Sequence, residues 1–118
     1  MTTLDTALAV EEQRWYEQRA QREQLGDDLN APRQIDHFAY FTRRSAAEAA
    51  AEEFRQAGFA VRTSRHRLRV VLEASRNEAL SDLDVLRFMD EVLDIVLRHR
   101  GRYDGWGGAV VDRAMSAR

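Results

Sequence analysis

The sequence predicts an α+β fold, a ferredoxin-like sandwich in the order β-α-β-β-α-β, preceded by an extra N-terminal helix. Alternating apolar and polar residues, typical of strands, recur between residues 34 and 111, and helical periodicity separates them in two places. Two right-handed β-α-β units joined by a hairpin give four antiparallel strands with both helices on one face. A simple αβ meander is the alternative arrangement.

The N-terminal helix is predicted over residues 5–24, which contain no Gly or Pro and are rich in good helix formers. Leu4, Leu8 and Trp15 form only a narrow apolar stripe, and the residues after Tyr16 are almost wholly polar. The helix therefore suits a docked arm, a dimer contact or a partner-binding extension. We assign residues 1–25 to this arm, 26–112 to the sandwich and 113–118 to a frayed tail.

The first strand follows a break at residues 25–33, where Gly26 ends the helix and Pro32 disfavours helical backbone before it. Residues 34–41 alternate along the chain and carry aromatic side chains on both faces, as expected of a central strand. One predicted face holds Ile35, His37, Ala39 and Phe41, and the other holds Asp36, Phe38 and Tyr40.

A second helix and a hairpin follow. Ser45 with Glu48 resembles a capping box, and an alanine-rich helix then runs to about Ala57 before Gly58. Residues 59–64 and 68–74 alternate in hydrophobicity, so they are predicted to form a β-hairpin with residues 65–67 between the strands.

The last helix begins at the N-cap Ser81 and ends before Gly101. Its apolar residues form a face about twice as wide as the apolar stripe of a usual core-facing helix. The N-terminal arm or a second protomer is therefore expected to cover part of this face. A Gly-interrupted aromatic strand follows from Tyr103 to Val111. It neighbours the first strand in this topology, which brings His37 or Phe38 towards Trp106.

Composition excludes several classes of protein. The 118 residues suffice for one domain, and 44% hydrophobic content permits a packed core. The absence of cysteine excludes disulfides, thiolate metal sites and cysteine nucleophiles. No apolar run is long enough to span a bilayer and the first residues do not resemble a leader, so we expect a cytoplasmic protein without membrane contact. The net charge of −2 gives no bulk attraction to nucleic acid.

Catalytic motifs are not evident. His37, His66 and His99 lack the spacing of metal ligands, and no nucleotide-binding or hydrolase motif occurs. His37 is the only candidate general base, and a half-buried strand histidine with a satisfied hydrogen bond is the simpler interpretation. The run Gly105 to Gly108 is better explained by a bulge around Trp106 than by a phosphate loop. We therefore expect no enzyme activity, no cofactor and no metal.

Charge is unevenly distributed. Residues 59–76 hold five arginines against Glu73, whereas residues 78–94 hold six acids against Arg87. A solvated face or an acidic protein partner would account for the basic hairpin. Single-stranded RNA is a further alternative, although the paired aromatic residues of an RNA-binding sheet are missing from its second strand. The candidate basic patch comprises Arg62, Arg65, Arg67 and Arg69.

Two motifs, GDDLNAPRQIDHFAYF at residues 26–41 and YDGWG at residues 103–107, resemble those of regulators of ribonuclease E activity B, also called ribonuclease E inhibitor B. AEEFRQAGFAV at residues 51–61 extends the resemblance over most of the chain. Proteobacterial members carry a long acidic C-terminal tail that does not follow YDGWGGAVV here. The positions that match the family pattern are Gly26, Asp27, Asp28, His37, Tyr103, Asp104, Gly105, Trp106 and Gly107.

The resemblance implies a ferredoxin-like, non-catalytic protein that binds ribonuclease E or a related endoribonuclease and modulates mRNA decay by protein contact. Its motif residues either fix the fold or touch the partner. The second hypothesis is a small-ligand-sensing homodimer that forms through the wide apolar helix face or the arm. Direct RNA binding through the arginine hairpin is the third.

Overall fold

The computed structural model describes residues 3–116 and confirms the predicted topology. The sheet has four strands in the order β2-β3-β1-β4, and every neighbouring pair is antiparallel. This is the strand order of a ferredoxin-like sandwich, so the meander alternative is wrong. The elements are α1 (Leu4–Gln24), β1 (Arg33–Phe41), α2 (Arg44–Gln56), β2 (Ala60–His66), β3 (Arg69–Glu78), α3 (Asp82–Arg98), β4 (Arg102–Gly108) and α4 (Arg113–Ser116).

Helix α1 is docked on α3. Its N-cap Thr3 accepts a hydrogen bond from the Thr6 amide at 3.2 Å. Trp15 is only 1% exposed and packs in one cluster with Phe88 and Met89 of α3. The arm and the sheet therefore cover the wide apolar face of α3 within one chain. A dimer through that face, one of the predicted alternatives, is not consistent with this burial.

The alternation predicted for β1 is confirmed. Every second side chain from Ile35 to Phe41 is buried beneath the helices, and those between are partly exposed on the helix-free face. Alanines on α2 let this helix approach the sheet closely, and Phe54 fills the remaining space. The core thus lies between one face of the sheet and α1, α2 and α3.

The capping box predicted at the start of α2 is wrong. The helix begins at Arg44, and its N-cap Arg43 makes no side-chain capping bond. Ser45 lies inside the helix. The Glu48 carboxylate pairs with the Arg44 side chain in the first turn at 3.1 Å. By contrast, the predicted Ser81 cap of α3 is confirmed, with Ser81 Oγ accepting from the Asp84 amide at 3.1 Å.

The hairpin strands are longer than predicted, and the turn consists of residues 67 and 68 alone. Two-residue turns match the twist of paired strands, and Arg67 takes the positive φ (59°) that such a turn requires. Leu68, predicted to begin the second hairpin strand, is therefore 86% exposed at the turn. Arg67, predicted between the strands, also belongs to the turn.

Strand β4 is shorter than predicted because the chain leaves the sheet after Gly108. The carbonyls of Gly108 and Ala109 accept hydrogen bonds from Arg22 and Arg33, each at 2.9 Å. These bonds draw the following residues towards the start of β1. Residues 113–116 form the single-turn helix α4 where the sequence predicts a frayed tail, and residues 117–118 lie outside the described residues. No helix in the described part of the chain is long and apolar enough to cross a membrane.

Candidate functional site

Asp27, from the first of the two motifs, is a completely buried carboxylate at the junction of α1, β1 and the segment after β4. Arg22 Nη1 donates to its Oδ2 at 2.8 Å, and Arg33 Nη1 donates to its Oδ1 at 2.7 Å. The Val111 amide donates a further hydrogen bond to Oδ1 at 3.1 Å. The end of α1, the start of β1 and the segment after β4 are therefore joined by one side chain.

The two arginines are nearly as buried as the carboxylate, at 8% and 7% exposure. Arg22 also donates to Gln18 at 2.6 Å, and Arg33 donates to the carbonyls of Asp28 and Ala31. Burial alone would raise the pKa of Asp27, but the hydrogen bonds from both arginines and Val111 hold it below its usual value. Asp27 is therefore an ionised structural anchor with its hydrogen-bonding capacity used inside the protein.

Gly26 and Asp28 shape the loop around this anchor. Gly26 has a φ of 76°, the left-handed backbone that ends α1 and favours glycine. Its carbonyl accepts from the Arg113 amide at 3.0 Å. The Asp28 side chain accepts from the Asn30 amide at 3.1 Å, and the Asp28 amide donates to Val111 at 2.8 Å. Both residues thus tie the loop to the segment after β4.

His37 lies in the core beneath α3. It is 2% exposed, its Nδ1 is 2.9 Å from the Tyr103 hydroxyl, and its Nε2 has no partner among the described residues. The ring meets Phe88 edge-on at 5.2 Å between centroids. Burial, with a smaller contribution from Arg76, lowers the pKa of His37 to about 3. A neutral imidazole sealed in the core has no route to a substrate.

The YDGWG motif adapts β4 to its neighbour. The pairing with β1 shifts between Phe38 and Ala39, so Asp104 is an extra residue, and Gly105 takes a φ of 109°. This confirms the bulge predicted here. Asp104 is exposed on the helix-free face, where its hydrogen bond raises the pKa of Tyr40.

The bulge directs Trp106 back to the core side. Trp106 pairs with His37 in the sheet, as the topology predicts, and contacts Phe88 at 5.4 Å and Trp15 at 6.0 Å between centroids. The Arg22 guanidinium lies 5.7 Å from its ring, which links the YDGWG motif to the Asp27 anchor. Gly107 pairs with Asp36 at the end of the strand. The two motifs therefore meet in three dimensions.

The predicted basic patch is divided by the structure. Arg62 pairs with Glu73 at 2.5 Å on the helix-free face, and Arg69 covers the Tyr40 ring at 5.5 Å. Arg65 lines a small depression beside α2, on the opposite side of the sheet, and Arg67 lies in the turn. The four residues do not form one surface.

Sequence reasoning missed the roles of Arg22 and Arg33. Both lie in stretches interpreted as a polar helix end and a break. A signal was present, because Arg22 and Arg33 flank the acidic pair of Asp27 and Asp28 closely in sequence. Burial of all three charges depends on tertiary packing, which local sequence does not reveal.

A comparison with known families decides the relationship. The family model described as regulator of ribonuclease activity B matches residues 17–108. The chain belongs to this family. The match includes both motifs and the entire sheet, and the family name describes regulators, not enzymes. No curated protein matches the chain.

The lowered pKa of the buried His37 predicts that the stability of the protein depends on pH. The unfolded imidazole binds a proton below pH 6.5, whereas the folded one stays neutral to about pH 3. The lowered pKa thus contributes stability that is complete above pH 6.5 and is lost as pH falls towards 3. The loss approaches about 1.4 kcal/mol per pH unit. We expect His37→Phe to flatten the slope of the unfolding free energy between pH 6.5 and 5.

The control is His66→Phe, which changes an exposed histidine on β2 and should leave the slope unchanged. Urea denaturation at a series of pH values measures both variants. Equal slopes for the wild-type protein and His37→Phe would show that the buried imidazole does not determine the acid sensitivity.

Proposed function

We propose that the chain is a non-catalytic regulator that binds an endoribonuclease of the ribonuclease E type and modulates mRNA decay by protein contact. The observation that carries the proposal is the family match over residues 17–108, a family described by regulation of ribonuclease activity. Action on such an enzyme requires a shared compartment, so the proposal includes a cytoplasmic location.

The burial of the motifs supports a regulator that acts through its surface. Asp27 and His37 are almost fully buried, and their polar contacts are made within the chain. We propose that these residues fix the fold and that contacts with the ribonuclease come from exposed residues. A substitution of Asp27 or His37 should therefore affect ribonuclease binding only as far as it unfolds the protein.

RNA binding is the second candidate function, and one observation favours it. The side chains of Arg65 and Arg67 are exposed and make no ion pair or hydrogen bond among residues 3–116. However, the helix-free face places Asp36, Glu73 and Asp104 around Phe38 and Tyr40, and these carboxylates repel phosphate. Protein contact is therefore the better supported function.

Isothermal titration of the purified chain into the endoribonuclease, without RNA, tests the proposal. We expect saturable binding in the absence of RNA, since the contact is between proteins. A parallel titration with single-stranded RNA at low salt should show no comparable binding. The absence of a ribonuclease complex, together with salt-sensitive RNA binding, would contradict the proposal and support the second candidate.

A further inference from the structure

One end of the sheet collects arginines from several separate segments. Strand β1 ends there, while β3 and β4 begin there, because Phe41 pairs with Val70 and Tyr40 pairs with Arg102. We call the arginines at this end, together with the turn and loop beside them, the basic end. It consists of Arg43, Arg67, Arg69, Arg100 and Arg102.

The side chains of Arg100 and Arg102 are exposed and make no ion pair or hydrogen bond in the part of the chain that the structure describes. The opposite end of the sheet carries the Asp27 loop and the acidic first turn of α3. Unpaired guanidiniums concentrated at one end provide sites for carboxylates of another molecule.

A groove adjoins the basic end. Arg100, Gly101 and Arg102 form a wall shared by two depressions, of about 210 and 980 Å³. The smaller lies over the end of the sheet beside Tyr40, Thr42 and Arg69. The larger runs between α1, α3 and β4, and its apolar lining comes from Ala7, Val10, Leu93 and Leu97. Val10 is 46% exposed, so part of this apolar surface faces solvent.

The larger groove is positively charged. Arg14 and Arg98 line it together with Arg100 and Arg102, and Glu11 is the one carboxylate in its lining. Burial raises the pKa of Glu11, while Arg14 opposes that shift. Arg14 pairs with Glu11 at 3.1 Å and Arg98 is held by Glu53 and Asp94, so Arg100 and Arg102 are the arginines left to bind a ligand. An acidic segment with apolar side chains fits both the charge and the lining.

Backbone conformation singles out Arg100. Arg100 follows the end of α3 with a φ of 60°, a backbone conformation that favours glycine. The glycine of this segment is instead the next residue, Gly101. Gly101 is held there by packing, since a Cβ would lie 2.5 Å from Phe41 Cε1. Arg67 is the other non-glycine residue with a positive φ among residues 3–116, and it belongs to the same end. The turn accounts for the conformation of Arg67, whereas Arg100 combines a strained backbone with a side chain that has no internal partner, which points to a role in binding.

We propose that the basic end and the larger groove bind an acidic, partly apolar peptide segment of the protein partner. Carboxylates of the segment contact Arg100 and Arg102, and its apolar side chains cover Val10 and Leu97. The identity of that partner as a ribonuclease rests on the proposed function above. A peptide is favoured over RNA because Tyr40 is covered by Arg69 and bonded to Asp104, so its ring is not open for base stacking.

The test is a titration with a short synthetic peptide of alternating glutamate and leucine, followed by amide chemical shifts and calorimetry. We expect shifts at Thr42, Gly101 and Arg102, and binding weakened about ten-fold or more in an Arg100→Glu, Arg102→Glu double variant. The matched control is Arg55→Glu, Arg87→Glu. It makes the same change in net charge at two exposed arginines that only form long ion pairs, at 3.9 and 3.7 Å.

Arg100→Gly separates binding from folding. Glycine adopts the positive φ of this position without strain, so the urea midpoint should rise. Peptide affinity should fall because the guanidinium is lost. The proposal is overturned if the peptide does not bind, if the control variant weakens binding equally, or if Arg100→Gly leaves affinity unchanged. Tighter binding of single-stranded RNA, lost in the same double variant, would also overturn it. The peptide titration contains no ribonuclease, so a failure of ribonuclease binding contradicts only the proposed function.

Discussion

Replacement of Asp27 by alanine is expected to cost about 3–5 kcal/mol of unfolding free energy. The loss arises because Arg22 and Arg33, both less than a tenth exposed, would remain charged without the carboxylate between them. The Val111 amide would lose its partner as well. Urea denaturation measures the change, and a domain of this size could be unfolded by it at 37 °C.

Asp104→Ala is the matched control for this substitution. Asp104 belongs to the second motif but is exposed, and its side chain interacts with Tyr40 on the helix-free face. We expect it to cost less than about 1 kcal/mol, as for other surface hydrogen bonds. Equal losses for Asp27→Ala and Asp104→Ala would contradict the assignment of Asp27 as the structural anchor.

Trp15→Ala is expected to produce the second large effect, also about 3–5 kcal/mol. The substitution removes the largest buried side chain of α1, together with its contact with Trp106. It also removes the hydrogen bond from Trp15 Nε1 to Asp82 Oδ1, which is 2.8 Å long. Detachment of α1 would expose the apolar face of α3, so we expect self-association in sedimentation experiments at concentrations where the wild-type protein is monomeric.

Tyr16→Ala serves as the control, since Tyr16 is 36% exposed and bonds only to Glu12 on its own helix and to Arg19. It should cost less than about 1 kcal/mol and leave the sedimentation coefficient unchanged. A Trp15→Ala variant that remains as stable as Tyr16→Ala would show that α1 is a dispensable arm.

The spacing of apolar residues predicted the strands and the helices, because an element that buries one face carries apolar residues at regular intervals. The pattern around Ile35 and His37 gave the inner face of β1. The topology placed His37 or Phe38 near Trp106, and the structure pairs His37 with it. The capping box at Ser45 failed because the helix begins one residue earlier, at Arg44, whose side chain pairs with Glu48. Competing local interactions of similar strength cannot be ranked from sequence alone.

The candidate site was less predictable than the fold. The resemblance identified the motif residues, but the sequence did not predict their burial. The burial of Asp27 requires Arg22 and Arg33 to approach it from the end of α1 and the start of β1. The basic end escaped notice for a related reason. Arg69 is far from Arg100 and Arg102 in sequence, and it meets them only through the strand order β2-β3-β1-β4.

The most direct test of the central claim is the rate of RNA cleavage by a ribonuclease E-type enzyme as this protein is titrated in, at two RNA concentrations. Regulation by protein contact predicts that cleavage slows and that the effect saturates once the protein exceeds the enzyme, at the same protein concentration for both amounts of RNA. A rate that does not change, or that falls only when the protein exceeds the RNA, would contradict the account.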